Sequence, residues 1–154
     1  FKFFKFPICI ARFSNFYGPG QSLKRLIPKV IDSIDKKKRF PLDGNGNSIR
    51  DFIFTDDFCE AINLIISKGK IGNSYHFSSN KFYKIKEIVK MICQLKGTNY
   101  QNFVKFRKDR IGKDKSYKLS CIKTIKELKW KPKYKLKKGI KMIIDYHNKH
   151  LLKF

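Results

Sequence analysis

No run of about 18 apolar residues occurs in the chain, so nothing in it reads as a membrane-spanning helix. Its four cysteines, Cys9, Cys59, Cys93 and Cys121, form no CxxC pair and lie far apart in apolar contexts. That spacing points to buried free thiols in a reducing, cytoplasmic setting rather than to metal or disulfide roles. No Cys/His cluster has metal-ligand spacing, so no metal is expected. The glycine-rich phosphate loops, GxGxxG and the Walker type, are both missing. Proline (5) and glycine (9) are too few to build a linker, and there is no internal repeat. The opening FKFFKFPICIA is too short and too broken by lysine to be a signal peptide. The chain starts at Phe1 and enters directly on an apolar strand, so it is expected to be a piece whose upstream part is missing.

Negative charge is scarce. Asp and Glu number 12 against 36 Lys and Arg, giving a net charge of +24. Such a balance is the footprint of a nucleic-acid binder. However, only Arg12, Arg25, Arg39, Arg50, Arg107 and Arg110 are arginines. The lysines are dispersed and interleave with apolar positions at helix spacing, as on a solvated face. With the abundance of Asn, Ile and Phe, this resembles drift toward AT-rich codons. No specific nucleic-acid partner and no membrane partner is expected, only nonspecific adhesion to polyanions.

What is present is a regular alternation. Pro7 to Phe13 is short, apolar and β-branched, a buried strand. Ser14 to Gln21, with Gly18, Pro19 and Gly20, reads as a loop at that strand's C-terminal end. Ligands bind at such places in open α/β sheets, and ordinary turns look the same. Leu23, Ile27, Val30, Ile31 and Ile34 recur at helical spacing, with Pro28 requiring a helix start just before it or a kink. Phe40 to Asp43 reads as a short strand.

The stretch from Gly44 to Asp57, GNGNSIRDFIFTDD, then joins a glycine turn to a strand and an acidic helix start with Thr55 as N-cap. Helices are predicted through Ile65 and Ile66 to Gly69, over Ile85 to Leu95, over Ile122 to Leu128, and from Leu136 to His147. Strands are predicted at Asn73 to Ser79 and Phe103 to Phe106. Strand and helix alternate, which makes the chain α/β.

Two polar, glycine-containing segments carry an arginine each, Arg50 and Arg110. A guanidinium fork matches two phosphate oxygens, and two forks would suit a pyrophosphate. The competing reading of Arg50 is a surface pair with Asp51. His76 is either a ligand contact or a satisfied core histidine. Tyr17, Tyr117 and Asp114 are candidate acid–base groups without a convincing partner at any sequence spacing.

Four stretches together resemble the C-terminal half of an extended short-chain dehydrogenase/reductase acting on nucleotide sugars, the NAD-dependent epimerase/dehydratase family. They are RFSNFYGPGQ (Arg12 to Gln21), RLIP (Arg25 to Pro28), GNGNSIRDFIFTDDFCEAI (Gly44 to Ile62) and DRIGKDKSYKLSCIKTIKELKWKP (Asp109 to Pro132). Among subfamilies the last stretch most resembles the dTDP-glucose 4,6-dehydratases.

The resemblance implies a fold and a set of roles. Residues 1–40 would supply the last Rossmann-type strand, loop and helix, and 41–154 mainly the nucleotide-sugar-binding subdomain, with the N-terminal NAD-binding half absent. Ser14 and Asn15 would lie where the nicotinamide end of NAD meets the sugar. Arg25 and Leu26 would border the nucleotide, with Pro41 near the base, Arg50 and Arg110 on the diphosphate, and Tyr117 near the nucleotide. His76 joins the substrate-binding candidates at the strand end where dehydratases usually read Asn-Ile-Gly-Gly. Asp43 stands where an aromatic often flanks the base, Lys113 replaces a usual histidine, and Ser120 a usual aspartate.

In such enzymes NAD takes a hydride from sugar C4, water leaves across C5 and C6, and the hydride returns to C6. The family's Tyr-x-x-x-Lys pair and dehydration acids would lie upstream of Phe1. No catalytic residue is therefore expected in this chain, which alone would be inactive; the full-length protein would be a homodimer. The alternatives are a 4-epimerase of the same family, a degenerate nucleotide binder, or a basic nucleic-acid-binding protein.

Overall fold

The computed structural model describes residues 3–109, 111–112 and 114–151. Strand β1, Ile10–Phe13, runs almost without interruption into β2, Asn15–Tyr17. The two pieces have different neighbours. β1 pairs in parallel with β5, Ser74–Phe77, whereas β2 pairs in parallel with β4, Ile49–Phe54. The change of neighbour falls at Ser14. A strand whose neighbours part in this way opens a crevice at its C-terminal end. β6, Phe82–Lys84, adds antiparallel to the start of β4. β3, Phe40–Asp43, pairs in parallel with β7, Val104–Arg107.

The helices are α1 (Leu26–Asp35), α2 (Thr55–Lys68), α3 (Ile85–Leu95), the single turn α4 (Tyr100–Phe103), α5 (Ile122–Leu128) and α6 (Leu136–Leu151). Pro28 occupies the third position of α1, where its missing N–H is one of the unpaired donors of the first turn anyway. The predicted cap of α2 is corrected. The helix starts at Thr55 itself, with extended Phe54 before it and no side-chain cap, because β4 feeds straight into it. The expected loop after β1 is also corrected, since Asn15 to Tyr17 form a strand. The cysteines form no disulfide, but Cys59 is exposed, contrary to the expectation of burial for all four. No described helix is long and apolar enough to cross a membrane.

The period-two alternation of β4 divides the interior. Phe52 and Phe54 face a cluster made with Ile27, Val30 and Ile31 of α1, Ile88 and Ile92 of α3, and Ile140 and Ile143 of α6. Ile53 faces the other way, into a smaller cluster of Tyr75, Phe77, Leu128 and Trp130. Aromatic rings link that second cluster outward, from Trp130 through Phe77, Phe13 and Phe58 to Phe16.

The turn between β3 and β4 needs its glycines: Gly44 and Gly46 adopt φ of +57° and +64°. Gly139 on α6 is required for a different reason. A Cβ there would collide with Tyr17 Oη and lie 2.8 Å from Phe54 Cδ2, both on fully buried rings. Gly139→Ala should therefore destabilise the fold by about 1–3 kcal/mol through overpacking, despite alanine's better helix propensity. A thermal melt checks this; an unchanged or higher midpoint would contradict the packing.

Candidate functional site

A cavity of about 440 Å³ opens at the C-terminal end of β2, between α1, β3 and β4. Ser14, Asn15, Arg25, Leu26, Pro41 and Arg50, all chosen from sequence, line it together. Its apolar wall comes from Leu26 and Ile27 of α1, Phe40 to Leu42 of β3, Phe52 and Ile85; Lys24 adds a further cation.

Each lining group is held by the local fold. Asn15 donates through Nδ2 to the Asp51 carbonyl oxygen at 3.1 Å, fixing its side chain against β4. Ser14 donates its backbone N–H to the Phe77 carbonyl. Its hydroxyl, by contrast, is buried and has no hydrogen-bond partner among the described residues. A buried polar atom without a partner carries a free-energy cost, unless something else supplies the hydrogen bond. Arg50 reaches along the cavity wall, where its two terminal nitrogens donate to the carbonyls of Ile49 and Asp114, each at 2.7 Å. Those bonds leave other donors of the guanidinium, which has five N–H groups.

The Arg50–Asp51 surface pair does not exist. Alternation along β4 sends Asp51 to the opposite face, where it is fully buried. There it accepts from Ser78 Oγ at 2.6 Å, from the Ser79 backbone N–H at 2.8 Å, and from Ser79 Oγ. The carboxylate thus latches the end of β5 to β4. Asp57 plays a matching role at the start of α2. Its carboxylate accepts the backbone N–H groups of Lys133 and Tyr134, and its carbonyl accepts Trp130 Nε1. Sequence reasoning saw only a helix-dipole partner there.

The remaining candidates lie elsewhere. His76 is on β5 opposite Arg12, away from the cavity; Thr124 clasps its backbone N–H and carbonyl at 3.0 and 2.7 Å. Tyr117 is 41% exposed and does not line the cavity, though its backbone N–H donates to Ile49. Arg110 and Lys113 lie outside the described residues. The segment around them nonetheless runs beside Arg50. Asp109 packs against Gly44, Lys115 accepts from the Ile49 N–H, and Asp114 accepts from Arg50.

Tyr17 lines the cavity, but its hydroxyl points to the Leu136 carbonyl, and burial, helped by nearby Asp57, Tyr83 and Asp51, pushes its pKa far up. One Tyr-x-x-x-Lys spacing does occur, at Tyr134 and Lys138, which sequence reasoning passed over. Tyr134 lies off the cavity, and the hydrogen bond it donates to Asp56 raises its pKa, the opposite of what a tyrosine that must ionise needs. Among the described residues no His/Cys/Asp/Glu group could hold a metal ion.

The model describing GDP-mannose 4,6-dehydratases matches residues 2–143. The chain is 34% identical over 151 residues to a dTDP-glucose 4,6-dehydratase from Haemophilus influenzae, covering 92% of this chain and 45% of that protein. Its fold superposes on the Bacillus anthracis dTDP-glucose 4,6-dehydratase solved in complex with NAD. That match has a TM-score of 0.92 and 29% identity, covering 99% of this chain and 48% of the other. A UDP-glucose 4-epimerase from Thermotoga maritima, solved with UDP-glucose, matches with a TM-score of 0.89 at 21% identity, over 97% and 48% of the two chains, and so shares the fold. The chain spans less than half the length of the curated relatives it matches.

The two neighbours on β4 should separate in experiment. Asp51→Ala removes the acceptor of three hydrogen bonds, one of them fully buried, and should cost about 2–4 kcal/mol of stability, whereas Arg50→Ala should cost under about 1 kcal/mol, as expected of a surface-side substitution. Denaturant unfolding of both variants checks this. Equal losses would mean that Arg50 is structural.

Proposed function

The chain belongs to the family described by the GDP-mannose 4,6-dehydratase model, and we propose that it is the nucleotide-sugar-binding half of an NAD-dependent NDP-sugar 4,6-dehydratase, of the dTDP-glucose 4,6-dehydratase kind. The observation that carries the reading is the convergence of Ser14, Asn15, Arg25, Leu26, Pro41 and Arg50 on one cavity. They come from separate stretches of the sequence, and their chemistry is complementary to one ligand. Arg50 presents a guanidinium to a diphosphate, and Arg25 with Leu26 borders the nucleotide. Pro41 flanks the base on the apolar side. Arg110 belongs to the same proposal as the second diphosphate ligand, with Tyr117 near the nucleotide and His76 as an altered contact.

Ser14 and Asn15 would hold the nicotinamide end of NAD beside the sugar. The unpartnered, buried Ser14 hydroxyl fits a polar group placed there. NAD, when bound, supplies the hydride acceptor for this class of reaction. This chain's own residues bind and orient: Arg50 neutralises phosphate charge, the α1 and β3 walls exclude water from the nucleoside, and Asn15 keeps β2 registered against β4. In this reading residues 1–40 are the last Rossmann-type strand, loop and helix, and 41–154 are mainly the substrate-binding part. Proton transfer and dehydration belong to residues of the longer protein, a cytoplasmic homodimer. Free thiols suit that reducing compartment. The high positive charge serves no specific nucleic-acid readout.

Calorimetric titration of dTDP, UDP and GDP and their sugars into the chain tests the binding claim. Arg50→Ala should weaken binding by about 1.5–3 kcal/mol, the worth of a charge-assisted hydrogen bond, with unchanged circular dichroism. No saturable binding, or binding indifferent to the substitution, would reject it. Separately, oligonucleotide binding should fade between roughly 50 and 200 mM salt and show no sequence preference, as counterion release dictates. Retention of a preferred sequence at the higher salt would favour a nucleic-acid role instead.

A further inference from the structure

Three cations, Lys24, Arg25 and Arg50, share the cavity, and its described lining holds one carboxylate, Asp43. The charge of that carboxylate is already met, since Arg107 Nε donates to it. Lys24 and Arg25 lie between β2 and α1, on a stretch of backbone that is pinned. Gln21 Nε2 donates to the Phe16 carbonyl at 3.0 Å and ties the start of the stretch to β2. Ser22 holds the turn that follows, its Oγ accepting the Lys24 N–H at 3.3 Å and its carbonyl the Arg25 N–H at 2.9 Å. Lys24 is thus fixed through its backbone at the cavity mouth, and the residue is exposed there. Among the described residues Lys24 makes no ion pair. Like charges gathered beside the apolar wall of Leu26, Ile27 and Phe52 repel one another. A ligand with more than one negative charge relieves that repulsion.

Resting on the reading that the cavity holds a nucleoside diphosphate, we propose that Lys24 is a further phosphate-binding residue that sets the cavity's preference for two phosphoryl groups over one or none. Arg50 and Lys24 divide the work by reach. Arg50 is tied to the Ile49 and Asp114 carbonyls, so its planar fork is a fixed anchor. Lysine carries a compact ammonium with three donors on a flexible stem, which follows phosphate oxygens from the rim. Lys24 therefore reaches the second phosphoryl group once the first is seated, beside Arg110. A point charge reads no ring. It adds affinity for phosphate and none for the base, and a nucleoside without phosphate gains nothing from it.

The test is calorimetric titration of the 154-residue chain with dTDP, dTMP and thymidine at one salt concentration. Lys24→Ala, with an unchanged circular dichroism spectrum, should weaken dTDP about tenfold, the lower end of what a hydrogen bond to a charged group contributes. The same variant should weaken dTMP about threefold or less and leave thymidine within about twofold, so that the preference for dTDP over dTMP shrinks. Lys24→Arg keeps the charge and should bind dTDP within about threefold of the unaltered chain. Lys29→Ala removes an equal charge from an exposed position of α1 that does not line the cavity. It should leave dTDP within about twofold, which separates a contact from the field of the whole chain. A dTDP affinity untouched by Lys24→Ala, an equal loss from Lys29→Ala, or a loss as large for thymidine as for dTDP each overturns the assignment. If Arg50→Ala weakens dTDP and Lys24→Ala does not, the assignment alone fails. If the unaltered chain binds no nucleotide, the nucleotide reading fails and takes the assignment with it.

Discussion

The side-chain period of two along β4 is the constraint on which the molecule turns. Six residues, Ile49–Phe54, must serve two interiors and a cavity at once. Residues 50, 52 and 54 face α1, α3 and α6, so the arginine and the phenylalanine that wall the cavity share a face with the ring that anchors the larger core. Asp51 and Ile53 face β5 and Trp130. A one-residue slip would bury the guanidinium against the second cluster and turn the carboxylate into the cavity. Three features hold the register. Asp51 is clamped by Ser78 and Ser79, Asn15 reaches the Asp51 carbonyl from β2, and α2 begins at once at Thr55 with Asp57 pinned to Lys133 and Tyr134.

This explains why the cavity residues come from distant stretches yet meet. β1 and β2 form one run of chain that changes neighbour at Ser14, and the gap that results is where α1 and β3 close over Arg50. The site is therefore a consequence of a sheet dividing. At the point of division lies the Ser14 hydroxyl, buried and without a hydrogen-bond partner among the described residues.

Helices α2, α3 and α6 could be read from apolar residues at helical spacing, and α3 and α6 carry lysines between those residues. β2 could not. Asn15 to Tyr17 sit in a polar, glycine-bounded string whose extended form depends on pairing with β4, a tertiary choice that local propensity does not carry. The opposite facing of Arg50 and Asp51 follows from the stretch being a strand, yet adjacency in sequence suggested a pair. At the site, the residues of the loop, helix and glycine-turn motifs meet because those motifs end at the dividing point. His76 does not meet them, since β5 carries it along the far side of β1, where Thr124 satisfies its backbone.

Scarcity of acid makes each carboxylate informative. In a chain of net charge +24 the side chains of Asp32, Asp35, Asp56, Glu60, Glu87 and Glu127 each close a specific contact, as do Asp43, Asp51 and Asp57. The partners are often backbone N–H groups or hydroxyls rather than the abundant lysines. An exposed ion pair contributes little, since the solvent screens it and two flexible side chains must be ordered. A buried carboxylate that accepts several hydrogen bonds is different, because no neutral residue of its size satisfies the same donors. Lysine can thus spread over the surface at small cost to the fold, while the few acids that remain sit where the fold needs an acceptor. By that logic the carboxylate at the end of β3, which pairs with Arg107 while lining the cavity, ties the β3–β7 pair to the wall of the site.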